Sequence, residues 1–258
     1  MADGILLPML SSLIPISDSV PTRRTPVVTV GLILANIVMF FRTPDLGEGL
    51  SSAVYFVRNA PVPCQLPDSC PAAVQFGEGA TVAIPDRGIG SFLIAVLVST
   101  FLHAGWMHII GNMLFLWIYG NNIEDNLGHV RYLVFYLLGG IAAGLAHALT
   151  HIDSPVPAVG ASGAVAAVMG AYLLVYPRAR INVLVFLGFF ITVVQVSAFT
   201  VLVVWFVFQL FTGFQEATGA VSVAWMAHVG GFLFGIAVMY MLGGRPQRPH
   251  QVWRPAWR

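Results

Sequence analysis

The chain has 258 residues, of which 57% are hydrophobic and 9% charged, with a mean hydropathy of +0.82 and a formal net charge of +1. A soluble domain carries about 25% charged residues, so this composition excludes an ordinary soluble fold and points to an integral membrane protein. The near-neutral balance also excludes a polybasic nucleic-acid binder.

The N-terminal stretch MADGILLPMLSSLIPISDSV is partly apolar. It lacks a basic leader region and a small-residue cleavage site, so it is not read as a signal peptide. A membrane-crossing helix needs about 20 mostly apolar residues, and six tracts qualify. They lie near 26–42, 92–119, 132–150, 160–176, 197–213 and 225–242. The fold expected is therefore an all-α polytopic membrane protein, a six-helix bundle over 26–243. Residues 1–25 form an inner segment, 43–91 a long outer loop and 244–258 a basic inner tail. The 33 residues from 181 to 213 are awkward, since as one helix they would run roughly 50 Å at 1.5 Å per residue. Residues 181–196 are accordingly expected to be interfacial or half-buried.

All twelve basic residues are arginines, and the six-span count puts nine of them on one side. Arg42, Arg58 and Arg87 lie opposite. By the positive-inside rule both termini face the cytoplasm. Cys64 and Cys70 then lie in the outer loop, where the CQLPDSC segment could close a small disulfide or leave two free thiols.

Polar groups inside spans are costly and tend to face a cavity or a partner. In HAGWMHIIGN, His108 and Asn112 are four apart and share a helix face. His103 lies about 140° from His108 on a continuous helix and is expected to point elsewhere, holding the outer loop or the helix end. In AHVGGFLFG, His228 shares a stripe with Gly231 and Gly235. In the fourth span, Ser162, between Gly160 and Gly163, shares one with Ala166 and Gly170. Small faces let helices approach closely in lipid, so Ser162 is expected to meet His228. The Pro-rich approach to Ser162 puts it in the first turn of its helix, where unpaired N–H groups favour an oxyanion. Serine, a histidine base and polar donors are the set that acyl transfer requires.

Each residue alone has a plainer reading. Ser162 suits helix packing, His228 a core histidine, Asn112 a bond between helices. It is the conjunction on three spans that favours chemistry. A zinc site from His103, His108 and His228 is disfavoured by the five-residue spacing of the first two, and no metal is expected. His147 and His151 receive no role. Gln209 and Trp205 share a face of the fifth span, with a hydrogen bond inside the bundle as the default. Glu124, Asp125 and Arg131 are placed in a short inner loop, the acid pairing with backbone donors or Arg131.

With HAGWMHIIGN, GASG and AHVGGFLFG in this order on spans two, four and six, the chain resembles the rhomboid family of intramembrane serine proteases over about 23–243. The resemblance implies a bundle with a wet cavity open to the outer side and cofactor-free hydrolysis of peptide bonds in the membrane spans of other proteins. It makes Ser162 the nucleophile, His228 the general base, and His108 and Asn112, with the Ser162 N–H, the oxyanion hole. Gly160, Gly163 and Gly231 would support the site. Partners would be single-span or other transmembrane proteins and the lipid bilayer, and the membrane a bacterial cytoplasmic one, since no organelle-targeting extension is visible. Two features depart from the family pattern. An aromatic residue found four after the serine in some members is Ala166 here, and no Trp-Arg motif occurs within 43–91. The 214–224 segment suits a movable cap. A non-proteolytic binder of membrane spans and a small-solute transporter are the contrasting readings. The first would lack the serine or the histidine, and no inverted repeat supports the second.

Overall fold

The computed structural model describes residues 13–76, 80–187, 190–217 and 224–244. In chain order the elements are β1 (Leu13–Asp18), α1 (Val27–Arg42), α2 (Gly49–Asn59), β2 (Ala73–Phe76), β3 (Ala80–Ala83), α3 (Ile89–Ser99), α4 (Trp106–Leu127), α5 (His129–Thr150), α6 (Ser162–Val175), β4 (Arg180–Leu187), β5 (Phe190–Ser197), α7 (Ala198–Ala217) and α8 (Trp225–Met241). Among the described residues α5 is long and apolar enough to cross a membrane, and α1, α3, α6, α7 and α8 contain shorter apolar stretches. The tail from 245 onward and most of the 214–224 segment lie outside the described residues.

Helix α6 is the axis of the fold. Its small residues Ala164, Ala166, Ala167 and Ala171 are fully buried, and neighbouring helices close around it. The tightest approach is to α8, through glycine on both sides. A Cβ on Gly231 would strike the Gly163 carbonyl, one on Gly235 the Ala167 carbonyl, and one on Gly170 the Phe232 carbonyl. Dispersion and close packing associate helices in lipid, because hydrocarbon gives them no hydrophobic reason to meet. These glycines set the backbone separation that positions the site.

Some expectations need correction. The second span is not one helix over 92–119: α3 ends at Ser99 and α4 starts at Trp106, with residues 100–105 between them. Gly105, at φ +97°, makes the turn into α4, a conformation glycine adopts without strain. Glu124 and Asp125 are not in a loop, because α4 continues to Leu127 and Gly128 turns the chain at φ +78°. Arg131 lies on α5. The acid does pair with backbone donors: Glu124 accepts from the N–H groups of Val28 (2.9 Å) and Thr29 (2.7 Å), the Thr29 hydroxyl, and His129. It thereby caps the first turn of α1, which has no capping side chain of its own.

The helical fold also carries strands, which the all-α expectation leaves out. Strands β4 and β5 form an antiparallel hairpin, and β1 from the N-terminal segment adds to β4 in a three-stranded sheet ordered β1–β4–β5. A second hairpin, β2–β3, lies in the long loop. The hairpin is why 181–213 fits neither one span nor two: strands take up the first half of the tract. The larger sheet sits at the end of α6 remote from Ser162, with Ile181 and Val183 buried in the main core.

Strand β1 is fastened to the bundle by Asp18. Its carboxylate accepts from Asn122 Nδ2 (2.7 Å) and the Tyr172 hydroxyl. Burial pushes this carboxyl up to about 6, against the opposing effect of those hydrogen bonds. The folded state therefore holds the Asp18 proton to higher pH than the unfolded chain, whose aspartates titrate near 3.9. Stability contributed by this group is lowest above pH 6, rises as pH falls through the window down to about 4, and is level below it. Asp18→Asn removes the titration while keeping an oxygen acceptor. Melting temperatures measured in detergent from pH 7.5 to 4.5 should show the wild type gaining on the variant as the solution is acidified. A constant difference between the two would refute the assignment.

Candidate active site

Ser162 is the first residue of α6 and His228 lies in the first turn of α8. The glycine contacts bring these two helix starts together. Ser162 Oγ–H donates to His228 Nε2 at 2.8 Å, the pairing that the small-residue stripes imply. On the other side of the imidazole, His228 Nδ1–H donates to Gln209 Oε1 at 2.6 Å. A carboxamide oxygen can only accept, so this bond puts the ring proton on Nδ1 and leaves Nε2 free to take one from serine. Gln209 is buried on α7. The hydrogen bond inside the bundle expected of it is therefore present, with His228 as its partner. Its signal was a lone carboxamide in an apolar span, but its partner depends on how α7 docks against α8.

Trp205, one turn before Gln209, places its ring 5.9 Å from the His228 ring, tilted by 44°. An aromatic side chain thus flanks the imidazole from α7, whereas Ala166 is fully buried within α6. The fold answers that departure with a ring from another helix.

The pair opens into a cavity of about 670 Å³, lined on its α4 side by Met107, His108, Asn112 and Phe115. Asn112 is buried, and its Nδ2 has no partner among the described residues. Buried donors are almost always satisfied, so this one is left for something that enters the cavity. His108 Nδ1 accepts from the Ala104 N–H at 3.4 Å, which leaves Nε2 as the ring's donor. Gly160 faces that ring. It stands at φ +130°, and a Cβ there would lie 2.6 Å from His108 Nε2, so glycine is required twice over. Gly163 and Gly231 make the α6–α8 contact rather than line the cavity.

His103 departs from expectation. Because α4 begins only at Trp106, His103 is not on a common helix with His108. It is fully buried in the 100–105 segment, and its ring packs edge-on against His108 with centroids 5.1 Å apart. It supports the ring rather than pointing away. His147 and His151, given no role from sequence, both line the cavity with their rings stacked 4.5 Å apart.

The long loop braces the wall opposite α4. Cys64 and Cys70 are disulfide-bonded, and this closed loop holds the segment before α6. The Cys64 N–H donates to the Ser154 carbonyl (3.1 Å), and the Ala158 N–H to the Pro61 carbonyl (3.1 Å). In place of a Trp-Arg pair, Arg87 ties the loop together by donating to the carbonyls of Ala60 (2.7 Å) and Arg58 and to Gln65 Oε1 (3.3 Å).

Comparison with known proteins agrees with this architecture. RHOMBOID-like protein 5 of Arabidopsis thaliana is 30% identical over 146 residues, covering 57% of this chain and 43% of that protein. Rhomboid protease GluP of Bacillus subtilis is 39% identical over 80 residues, 31% of this chain and 15% of the relative. The mitochondrial presenilin-associated rhomboid-like protein of Homo sapiens is 29% identical over 143 residues, 55% of this chain and 36% of the relative. The matches span less than half the length of each of these relatives. The family signature described as the Rhomboid domain matches residues 92–245, more than half of the chain and the whole of the segment from α4 to α8. The chain therefore belongs to the rhomboid family and has its helical, membrane-integral fold.

Proposed function

We propose that this protein is an intramembrane serine endopeptidase working through a Ser162–His228 dyad. The observation that carries the reading is the 2.8 Å hydrogen bond from Ser162 to His228 inside a cavity that also holds the unpartnered Asn112 donor. His228 accepts the Ser162 proton as Oγ attacks a peptide carbonyl. Asn112, His108 and the Ser162 N–H, at the start of α6, stabilise the oxyanion. His228 then protonates the leaving amine, and water from the cavity hydrolyses the acyl-enzyme. No acidic third residue is needed if the tautomer is otherwise fixed, and the bond from His228 Nδ1 to Gln209 does that.

The substrate class follows from the setting. A peptide bond inside a helix is shielded, and unwinding it in lipid exposes backbone groups at several kcal/mol each. Transmembrane segments with helix-breaking or small residues near the cleaved bond are therefore favoured. In this reading α1, α4, α5, α6, α7 and α8 are the six crossings of the 26–243 domain. The nine arginines at the inner ends keep both termini cytoplasmic, and a bacterial cytoplasmic membrane is the simplest site, although relatives named as mitochondrial exist. The segment near 214–224 is the proposed cap over the cavity.

A fluorophosphonate probe tests this directly. In detergent it should label the wild-type protein and leave Ser162→Ala unlabelled, while both variants melt at similar temperatures. Equal labelling of the two proteins would remove Ser162 as the nucleophile.

A further inference from the structure

We propose that the β4–β5 hairpin is a membrane-embedded element that lays its apolar distal half into the headgroup–acyl boundary of the leaflet at the α6 C-terminal end of the bundle. Its base is well packed, since Ile181 and Val183 belong to the main core and Asn182 bonds to Ser17 and Gln195. Toward the tip this changes. Phe190 is 77% exposed and Ile191 63%, with Val193, Val194 and Phe186 also exposed.

Three observations identify the occupant as lipid. First, the exposed apolar residues fall on both faces of the hairpin. Phe186, Ile191 and Val193 share one face, while Val194 and Phe190 lie on the other. A protein partner is normally met through one patch, whereas a surface apolar all round is what hydrocarbon solvates.

Second, the surface is continuous with the lipid belt of the bundle. Strand β5 ends at Ser197, and α7 begins at the next residue with exposed Phe199, then Val204, Val207 and Phe211 along its outer side. No charged residue occurs between Arg180 and Glu216. Third, β5 is an edge strand without the charges that natural edges use to avoid pairing with other chains. The exposed Arg178 and Arg180 sit at the base, on the water side of the headgroups and within reach of their negative surface potential.

The depth is bounded by the backbone. An edge strand carries unpaired N–H and C=O groups that the hydrocarbon centre cannot satisfy. The headgroup boundary can, and elements that lie there reach about 5–10 Å inward. Thr192 and Gln195 on β5 suit that polar fringe. The hairpin thus anchors the base of α7, the helix that carries Trp205 and Gln209, without crossing the bilayer.

The proposal is independent of proteolysis and is tested on the full chain in phospholipid bilayers. With Cys64 and Cys70 kept oxidised, Phe190→Cys and Ile191→Cys each offer one reactive thiol for a nitroxide. Arg178→Cys serves as the aqueous reference and Val207→Cys as the lipid reference. Labels at 190 and 191 should relax strongly with oxygen and weakly with a water-soluble nickel chelate, at a shallower depth than 207. A nickel response equal to that at 178 would place the tip in water and overturn the proposal. Protection from both reagents would mean a protein cover and would overturn it equally. The unmodified protein gives a second readout. A carbene-generating probe confined to the lipid phase should mark the peptide containing 186–194, and an unmarked peptide would count against insertion.

Discussion

Gly235→Val is expected to abolish recovery of folded protein. A Cβ at 235 would strike the Ala167 carbonyl oxygen and lie 2.7 Å from its carbon. Both are backbone atoms of a buried helix, so no side-chain rotation relieves the clash and α8 must move off α6. Overpacking of cores costs about 1–3 kcal/mol where side chains can adjust, and here the obstacle is main chain on both sides. Separating the helices would also pull His228 from Ser162, because Gly231 and Gly235 follow the histidine along the same face. Gly31→Ala is the contrast. Nothing lies within 4 Å of a Cβ there, and alanine in an exposed helix interior gains up to about 1 kcal/mol over glycine. Monodisperse yield and melting temperature in detergent measure both. Wild-type melting by Gly235→Val would mean that α6 and α8 are not in backbone contact.

How far the sequence discloses this arrangement depends on the range of the interaction. The stripe Ser162–Ala166–Gly170 and the glycines after His228 are local periodicities, and they suffice to bring two helices together. The apolar tract 181–196 defeats the same method. A short run that is mostly apolar, without clear alternation, reads alike as buried strand or buried helix. What decides is its enrichment in Val, Ile and Thr around the central Gly188, with a pairing partner, β1, that is remote in sequence (Leu13↔Val185, Asp18↔Ile181). The break at 100–105 is similarly hidden, since HAGW continues an apolar pattern, yet it is what turns His103 back onto His108. Glu124 reads as a loop acid because its partners, the first N–H groups of α1, lie almost 100 residues away. Gln209 is half legible, because a hydrogen bond inside the bundle is expected and one forms. A carboxamide amid valine and phenylalanine is a conspicuous signal, but it names no partner until α7 is docked.

That partner gives the second large effect, which the proposed activity predicts for the purified protein acting on a model single-span substrate. Ser162→Ala and His228→Ala should each reduce cleavage to background, and the double variant should be no slower than either, because residues that act as one unit lose their whole contribution when either is removed. Gln209→Leu retains bulk in the buried site but removes the acceptor for His228 Nδ1–H. The imidazole then loses its fixed tautomer, and some molecules present an Nε2–H to Ser162 that cannot accept its proton. In a soluble triad, replacing the orienting carboxylate by an amide lowers kcat by about 10⁴ through the wrong tautomer. A neutral acceptor stabilises the imidazolium less, so a smaller loss, about 10- to 1,000-fold in kcat, is expected for Gln209→Leu, with KM nearly unchanged. Gln209→Glu restores an acceptor and should recover most of the rate. A merely structural role would move the melting temperature and leave Glu and Leu alike. If Gln209→Leu turned over at the wild-type rate, the orientation of His228 would have to come from Trp205 and the surrounding packing alone.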